Sequence, residues 1–289
     1  MKLLISGASG LLGSALVKLA TEQGHTCLSL DRERLRTGDE AALTSLLDGI
    51  VHVVHAAANT NVERCETEPQ ICYRDNVLLT EMLAGAARRR GVPMTFISST
   101  GVYGAHKPEA YLEFDDTRPE THHHKSKLQA EHLVLAADWN NLVIRTGWLF
   151  GGSADAAKNF VAKRILEAQT AKEGFIASNQ QQRGCPTYVL DLAARLLALI
   201  TLKARGVFNA VNEGSASRFE YVQEIVGRAG LAVEVRPVAA SGFNRIAPVS
   251  DNEMAINWRA GELGLPPMRS WQAALADYLA SDGMRRMTA

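Results

Sequence analysis

Three glycines, Gly7, Gly10 and Gly13, separate a short apolar run, Lys2 to Ser6, from apolar residues at Leu12, Ala15, Leu16, Leu19 and Ala20. The run is long enough for a buried strand and too short for a helix, while the later spacing marks one helix face. Gly24 closes that helix, and Thr26 to Leu30 reads as a second strand ending at Asp31. Strand, glycine turn, helix and strand in roughly thirty residues make a βαβ unit. Such a unit commits the chain to a parallel sheet.

The spacing GxxGxxG also predicts a dinucleotide seat. The first glycine permits a sharp turn, the second a close approach of backbone to a pyrophosphate, and the third tight packing of helix on strand. The helix N-terminus then turns the N–H groups of Gly10, Leu11, Leu12 and Gly13 and its positive dipole end toward the phosphates. Asp31, at the end of the second strand, can accept hydrogen bonds from adenine-ribose hydroxyls and would repel a 2′-phosphate, which favours NAD. Arg32 can pair with the 2′-phosphate of NADP instead. Its plainer reading is a solvated loop charge.

The alternation continues with a helix over 41–47, a strand over 51–55 running into Ala56, Ala57 and Ala58, and a long helix over 69–90. Pro69 opens that helix, and Arg88 to Arg90 with Gly91 close it. A strand over 93–97, a helix over 126–136 and a strand over 141–145 follow. Beyond the breaker Gly151-Gly152-Ser153, the spacing predicts helices over 160–168 and 189–200 and strands over 175–177 and 207–209. A helix near 219–228, a strand over 233–235 and a helix near 271–279 complete the pattern. The expected fold is α/β, a Rossmann-type doubly wound parallel sheet with a smaller, discontinuous C-terminal substrate lobe. The dinucleotide-binding domain takes 1–150 and 187–212, the lobe 151–186 and 213–289.

Composition narrows the partners. Lys plus Arg and Asp plus Glu both number 31 in a chain of 289 residues, so no basic surplus supports nucleic-acid or membrane-surface binding. The most apolar stretch, Val189 to Leu202, is broken by Asp191 and Arg195 and does not read as a membrane span. Four cysteines, Cys27, Cys65, Cys72 and Cys185, show no CxxC spacing and read as reduced thiols of a cytoplasmic protein. A small-molecule enzyme or binding protein is the expectation.

Further segments resemble, in order, those of the extended short-chain dehydrogenase/reductase family. They are Gly7 to Gly13, Ala56 to Thr60 with Glu66 to Pro69, Asp75-Asn76-Val77, Ile97 to Gly104, Ser126 to Glu131, Arg145 to Gly151 and Gly184 to Ala193. The last two favour the branch that reduces nucleotide-linked 4-keto-6-deoxy sugars over generic sugar epimerases. The resemblance implies an NAD(P)H-dependent reductase of such a nucleotide sugar and leaves room for a homodimer. It implies that Ala56 to Ala58 let the dinucleotide cross the sheet edge and that Asn76 supports the catalytic helix. Ser99 would bond the substrate carbonyl, and Lys127 would hold the nicotinamide ribose. Thr60, Thr100, Tyr103 and Trp148 would meet the sugar, with aromatic core packing as the alternative for Tyr103 and Trp148.

One position departs. The family signature is Tyr-x-x-x-Lys, and the residue four before Lys127 is His123. A nearby ammonium lowers a tyrosine's pKa usefully, from about 10 toward neutrality, whereas it opposes a second positive charge on imidazole. A neutral His123 is a base and a poor proton donor. Three ways round this are open: a negative substrate group restores the imidazolium; water, Tyr103 or Ser99 relays the proton; or reduction is weak or absent. Two further readings follow from the same residue, a non-catalytic NAD(P)-binding regulator of this fold and a sugar-nucleotide epimerase or dehydratase using His123 as base. His122, His123 and His124 alternate sides if extended, and no cysteine or carboxylate stands at ligand spacing nearby, so a polar loop and no metal are expected. Cys185 reads as a small buried residue.

Overall fold

Apolar residues at successive positions of Leu3-Leu4-Ile5 require a sheet covered on both faces. The computed structural model describes every residue except Ala157, Val249 and Ala289, and it has such a sheet. Its strands are β1 (Lys2–Ser6), β2 (Thr26–Leu30), β3 (His52–His55), β4 (Met94–Ser99), β5 (Leu142–Thr146) and β6 (Gly206–Asn209). The order is β6-β5-β4-β3-β1-β2, and every neighbouring pair is parallel. The chain steps outward from β1 to β2 and then returns to β3, so the strand order reverses between β1 and β3. The crevice beyond the C-terminal ends of those two strands is where ligands bind in folds of this kind.

The helices that matter for the site are α1 (Leu11–Glu22), α2 (Val62–Thr67), α3 (Pro69–Tyr73), α4 (Leu79–Arg90), α5 (His122–Ala137) and α6 (Val189–Thr201). Leu3 and Ile5 pack with Leu12 and Leu16 of α1 and with Leu192 and Leu196 of α6. Leu4 faces the other way, into a core shared with Leu83 of α4 and with Ala130 and Val134 of α5. The expected strands and most expected helices are present, β6 included. In the C-terminal part, strands Phe175–Asn179 and Glu234–Val238 pair in parallel, and Arg183–Gly184 pairs with Ala216–Ser217 and Asn252–Glu253.

Of the elements that depart from the periodicity, three have a local cause. A helix over Arg32–Thr37 follows β2 because the Asp31 carboxylate accepts from Arg34 N–H at 2.7 Å and caps it. The helix expected over 69–90 contains a π-turn, Arg74–Leu78, where the Asn76 carbonyl accepts from the Thr80 hydroxyl. The helix expected from Ser126 starts at His122, because the Thr121 hydroxyl accepts from His124 N–H. The three histidines therefore lie on a helical turn rather than alternating along extended backbone.

Two buried histidines give the sheet an acid limit. His52 bonds Thr95, and His55 bonds Ser6 and Thr80. Burial holds their pKa values down to about 4 and about 3. Both stay neutral in the folded chain while the unfolded chain takes up protons below about pH 6.5, so stability present above that pH is lost toward pH 4 and 3. The pair contributes a loss of about 4 kcal/mol between pH 6.5 and 4.5. Urea unfolding at the two pH values checks this, and His52→Gln should recover about half of the difference. An unchanged pH difference in that variant would refute the assignment.

Candidate active site

The β1–α1 turn leaves a seat for backbone-bound phosphate. Gly7 has φ of +73°, and a Cβ there would lie 2.7 Å from Ala57 N; one on Gly13 would lie 2.1 Å from the Gly7 carbonyl oxygen. The first helical bond of α1 runs from Ser14 N–H to Gly10 O, and no side chain caps the helix. The N–H groups of Leu11, Leu12 and Gly13 therefore have no acceptor within α1 and face outward at its positive end. The Leu12 side chain itself is core, so only its backbone can serve a ligand. Ala56 to Ala58 leave β3 against this turn, with Ala57 N–H donating to the Ser6 hydroxyl. A dinucleotide fits these residues.

At the rim, Asp31 is exposed. Arg32 is not a free loop charge: its guanidinium donates to the Ala58 carbonyl at 2.9 Å and lies 3.9 Å from Asp75. It thus ties the segment after β2 to the segment after β3, across the end of β1.

The reacting end is built on β4 and α5. The Ser99 Oγ accepts from Gly101 N–H at 3.2 Å, which leaves the hydroxyl proton to be donated. The Lys127 ammonium donates to the Ile97 carbonyl at 2.6 Å and stands 4.4 Å over the Phe96 ring. It is buried, and that burial pulls its pKa from 10.5 to about 8. Asn76, on the π-turn, clamps Asn59 from both sides: it accepts from Asn59 N–H and donates to Asn59 O, while also donating to the Ser126 hydroxyl. The Asn59 carbonyl in turn accepts from His123 Nδ1 at 3.0 Å. With its proton on Nδ1, the imidazole keeps its lone pair on Nε2.

His123 is buried, and its pKa is held well below 6.5, first by burial, then by the charges of His124 and Lys127. The lysine effect inferred from the sequence is present, but it is smaller than that of burial. His123 and His124 point inward with ring centroids 5.0 Å apart, whereas His122 packs edge-on against Tyr73.

The residues assigned to sugar contact separate into two groups. Thr60 is exposed and accepts a 2.6 Å hydrogen bond from Lys158. Trp148 takes φ of +48°, a strained value for a large side chain; its indole N–H donates to Glu253, and the Arg218 guanidinium lies 3.5 Å over its ring. Tyr103 is fully buried, stacked on Tyr111 at 4.6 Å, with its hydroxyl donated to Asn209. These contacts make it part of the core packing, with its hydroxyl proton engaged by Asn209. Thr100 is 1% exposed, with its Oγ1 unpartnered.

Residues that sequence spacing did not offer also converge here. Glu131 accepts from Arg145 at 2.8 Å and from the Ser98 hydroxyl, an almost wholly buried pair beneath Ser99. Its signals in the chain are its position one turn after Lys127 and its place at the end of the matching segment Ser126 to Glu131. Cys65 of α2 and Cys72 of α3 lie beside His123, with one ligand atom from each of the three within 4.8 Å of the others. The absence of a nearby cysteine along the chain was thus misleading, because α2 and α3 fold back over the first turn of α5. The two thiols interact: the neighbouring Cys65 draws the pKa of Cys72 down, while Cys65 itself is pushed up. Among the described residues no helix is long and apolar enough to cross a membrane.

Comparison with known proteins follows the same lines. The profile described as "RmlD substrate binding domain" matches residues 1–284. A dTDP-4-dehydrorhamnose reductase of Mycobacterium tuberculosis is 35% identical over 286 residues, 97% of this chain and 93% of that protein. The crystal structure of a dTDP-4-dehydrorhamnose reductase from Clostridium acetobutylicum superposes with a TM-score of 0.90 at 28% identity, covering 96% and 98% of the two chains. The same enzyme from Bacillus anthracis, in complex with NADP, gives 0.90 at 27% identity with the same coverage.

Proposed function

This chain belongs to the RmlD substrate binding domain family, and from that premise we infer the reaction and the residues that run it. It is an NAD(P)-dependent oxidoreductase that reduces a nucleotide-linked 4-keto-6-deoxy sugar, of the dTDP-4-dehydrorhamnose reductase type. The observation that carries the reading is the open α1 N-terminus after β1, with the Lys127 ammonium of α5 held to Ile97 on β4 of the same sheet, in a chain so close to those reductases.

In our reading the Gly7–Gly13 turn, Ala56 to Ala58, Asp31 and Arg32 bind the dinucleotide, and a bound nicotinamide supplies the hydride. Lys127 spends one of its three N–H donors on Ile97, and the other two would serve to hold the nicotinamide ribose. The Ser99 hydroxyl donates to the substrate carbonyl and stabilises the oxyanion as it forms. Thr60 and Trp148 border the sugar, with the lobe of 151–186 and 213–289 closing over it. Four free thiols support the cytoplasm as the compartment.

The new alkoxide needs a proton, and no tyrosine stands four before Lys127. We assign that proton to His123 Nε2. The resting imidazole is neutral, but a sugar nucleotide brings negative charge, and an anion within ~4–6 Å favours the imidazolium. Asn59, clamped by Asn76, fixes the ring so that Nε2 carries the transferred proton. His123→Ala should lower kcat for oxidation of NADPH or NADH by dTDP-4-keto-6-deoxy sugar about a hundredfold. Cofactor affinity by calorimetry should stay unchanged, and His123→Tyr should restore turnover. Wild-type turnover in His123→Ala would overturn the assignment.

A further inference from the structure

Two cysteines and a histidine from three different elements meet at the position where the family's phenol would stand. Cys65 and Cys72 have no exposed surface, and His123 is buried as well. A pair of thiols with an imidazole is a soft-to-borderline donor set, which selects thiophilic ions over magnesium or calcium. It is also a set that holds zinc, with three protein ligands and a fourth position left over. Ligand atoms within 4.8 Å of one another need only a small inward movement to reach a common ion.

The surroundings are those of a supported site. Cys72 Sγ lies 3.5 Å from Asn76 Nδ2, whose two hydrogens it shares with Asn59 O and Ser126 Oγ, and 3.4 Å from Ser126 Oγ, so polar groups line the sulfur. The Asn59 carbonyl accepts from His123 Nδ1 at 3.0 Å, which fixes the ring and leaves Nε2 as the nitrogen free to bind an ion. Partners independent of any ion hold the three elements in place. Glu66 of α2 accepts from His122 N–H at the start of α5, and Asn61 caps α2 through Arg64 N–H. The donors are therefore positioned before an ion arrives, which lowers the ordering cost of binding it.

We propose that Cys65, Cys72 and His123 form a binding site for one thiophilic divalent cation of the zinc class. The ion enters as M²⁺, two thiol protons leave to solvent, and the thiolates with a ring nitrogen of His123 become its ligands. An ion there takes the imidazole that the reductase reading uses for the proton, so occupancy and turnover exclude each other. That consequence alone rests on the reductase reading, whereas the binding itself does not.

The test uses the full chain with thiols kept reduced and metals removed by chelation. Cobalt(II) should bind with one equivalent per chain and give a sulfur-to-cobalt charge-transfer band with the intense visible absorption of four-coordinate cobalt. Zinc should displace it. Cys65→Ser and Cys72→Ser should each reduce the sulfur band to about half or less, with one thiolate left, and weaken zinc binding by more than the roughly 10–100-fold typical of an outer-shell change. Cys27→Ser, on β2, should bind as wild type. In the unmodified protein, zinc should slow alkylation of Cys65 and Cys72, which reagent reaches only when the site opens locally, but not that of Cys27, as mapped by mass spectrometry over time, a readout that does not depend on the variants folding. Absence of the sulfur band, wild-type binding in Cys65→Ser, or no protection of the two thiols would overturn the proposal. A site that binds zinc without any effect on turnover would leave the cation site standing and remove His123 from the reaction.

Discussion

Gly13→Ala should reduce NADH and NADPH affinity at least a hundredfold and lower stability by about 3 kcal/mol, near the upper end of overpacking costs. The reason is geometric. The added Cβ would lie 2.1 Å from the Gly7 carbonyl oxygen and 2.8 Å from Ala8 Cα, both backbone atoms that cannot swing aside. Relief requires α1 to move off β1, which carries the N–H groups of Leu11 and Leu12 away from the phosphate seat and opens the core at Leu12 and Leu16. Gly24→Ala is the control. Gly24 also has positive φ, +77°, but nothing lies within 4 Å of its added Cβ. That substitution should cost about 1–2 kcal/mol for the left-handed backbone and leave affinity intact. Calorimetric titration and urea unfolding separate the two, and wild-type affinity in Gly13→Ala would remove the turn as the cofactor's seat.

Glu131→Ala should cost about 3–5 kcal/mol, because it leaves the Arg145 guanidinium buried without its carboxylate. Glu131 and Arg145 are 1% and 6% exposed, so solvent cannot take the carboxylate's place. Arg145 also lies 4.7 Å from the Tyr103 ring, and Ser98 donates to Glu131. A stranded guanidinium therefore disturbs the segment carrying Ser99. Turnover should fall together with stability, while a double replacement by apolar residues of similar volume should recover much of the stability. Denaturant unfolding of the single and double variants decides the matter, and a cost under about 1 kcal/mol for Glu131→Ala would show that the pair carries little energy.

Much of the architecture is readable in the chain because its signals are local. The strand Lys2 to Ser6, the glycine turn and the helix starting at Leu11 lie within one stretch, and their periods differ enough to be told apart. The same holds for α6, whose apolar spacing runs unbroken on one face. What was not legible depends on contacts between distant segments. The π-turn at Arg74–Leu78 has the same residue types as an ordinary helix and is revealed only by Asn76 reaching Asn59 and Ser126. Tyr103 sits in a family motif, yet its hydroxyl partner, Asn209, comes from β6 at the far edge of the sheet. Thr121 was the available sign that α5 begins at His122, since threonine caps helices well. The meeting of Cys65 and Cys72 with His123 had no such sign, because two short helices must first double back.

The pairing of α1 with α6 has a consequence for the nascent chain. Leu12 and Leu16 emerge early, but Leu192 and Leu196, which cover them, are made almost 180 residues later. At about 5–20 residues per second, that apolar ridge stays bare for roughly 10–40 s on the ribosome. Folding of the N-terminal half is thus tied to completion of a segment near residue 200, and a chain truncated before it would present the ridge as a sticking surface for holdase chaperones.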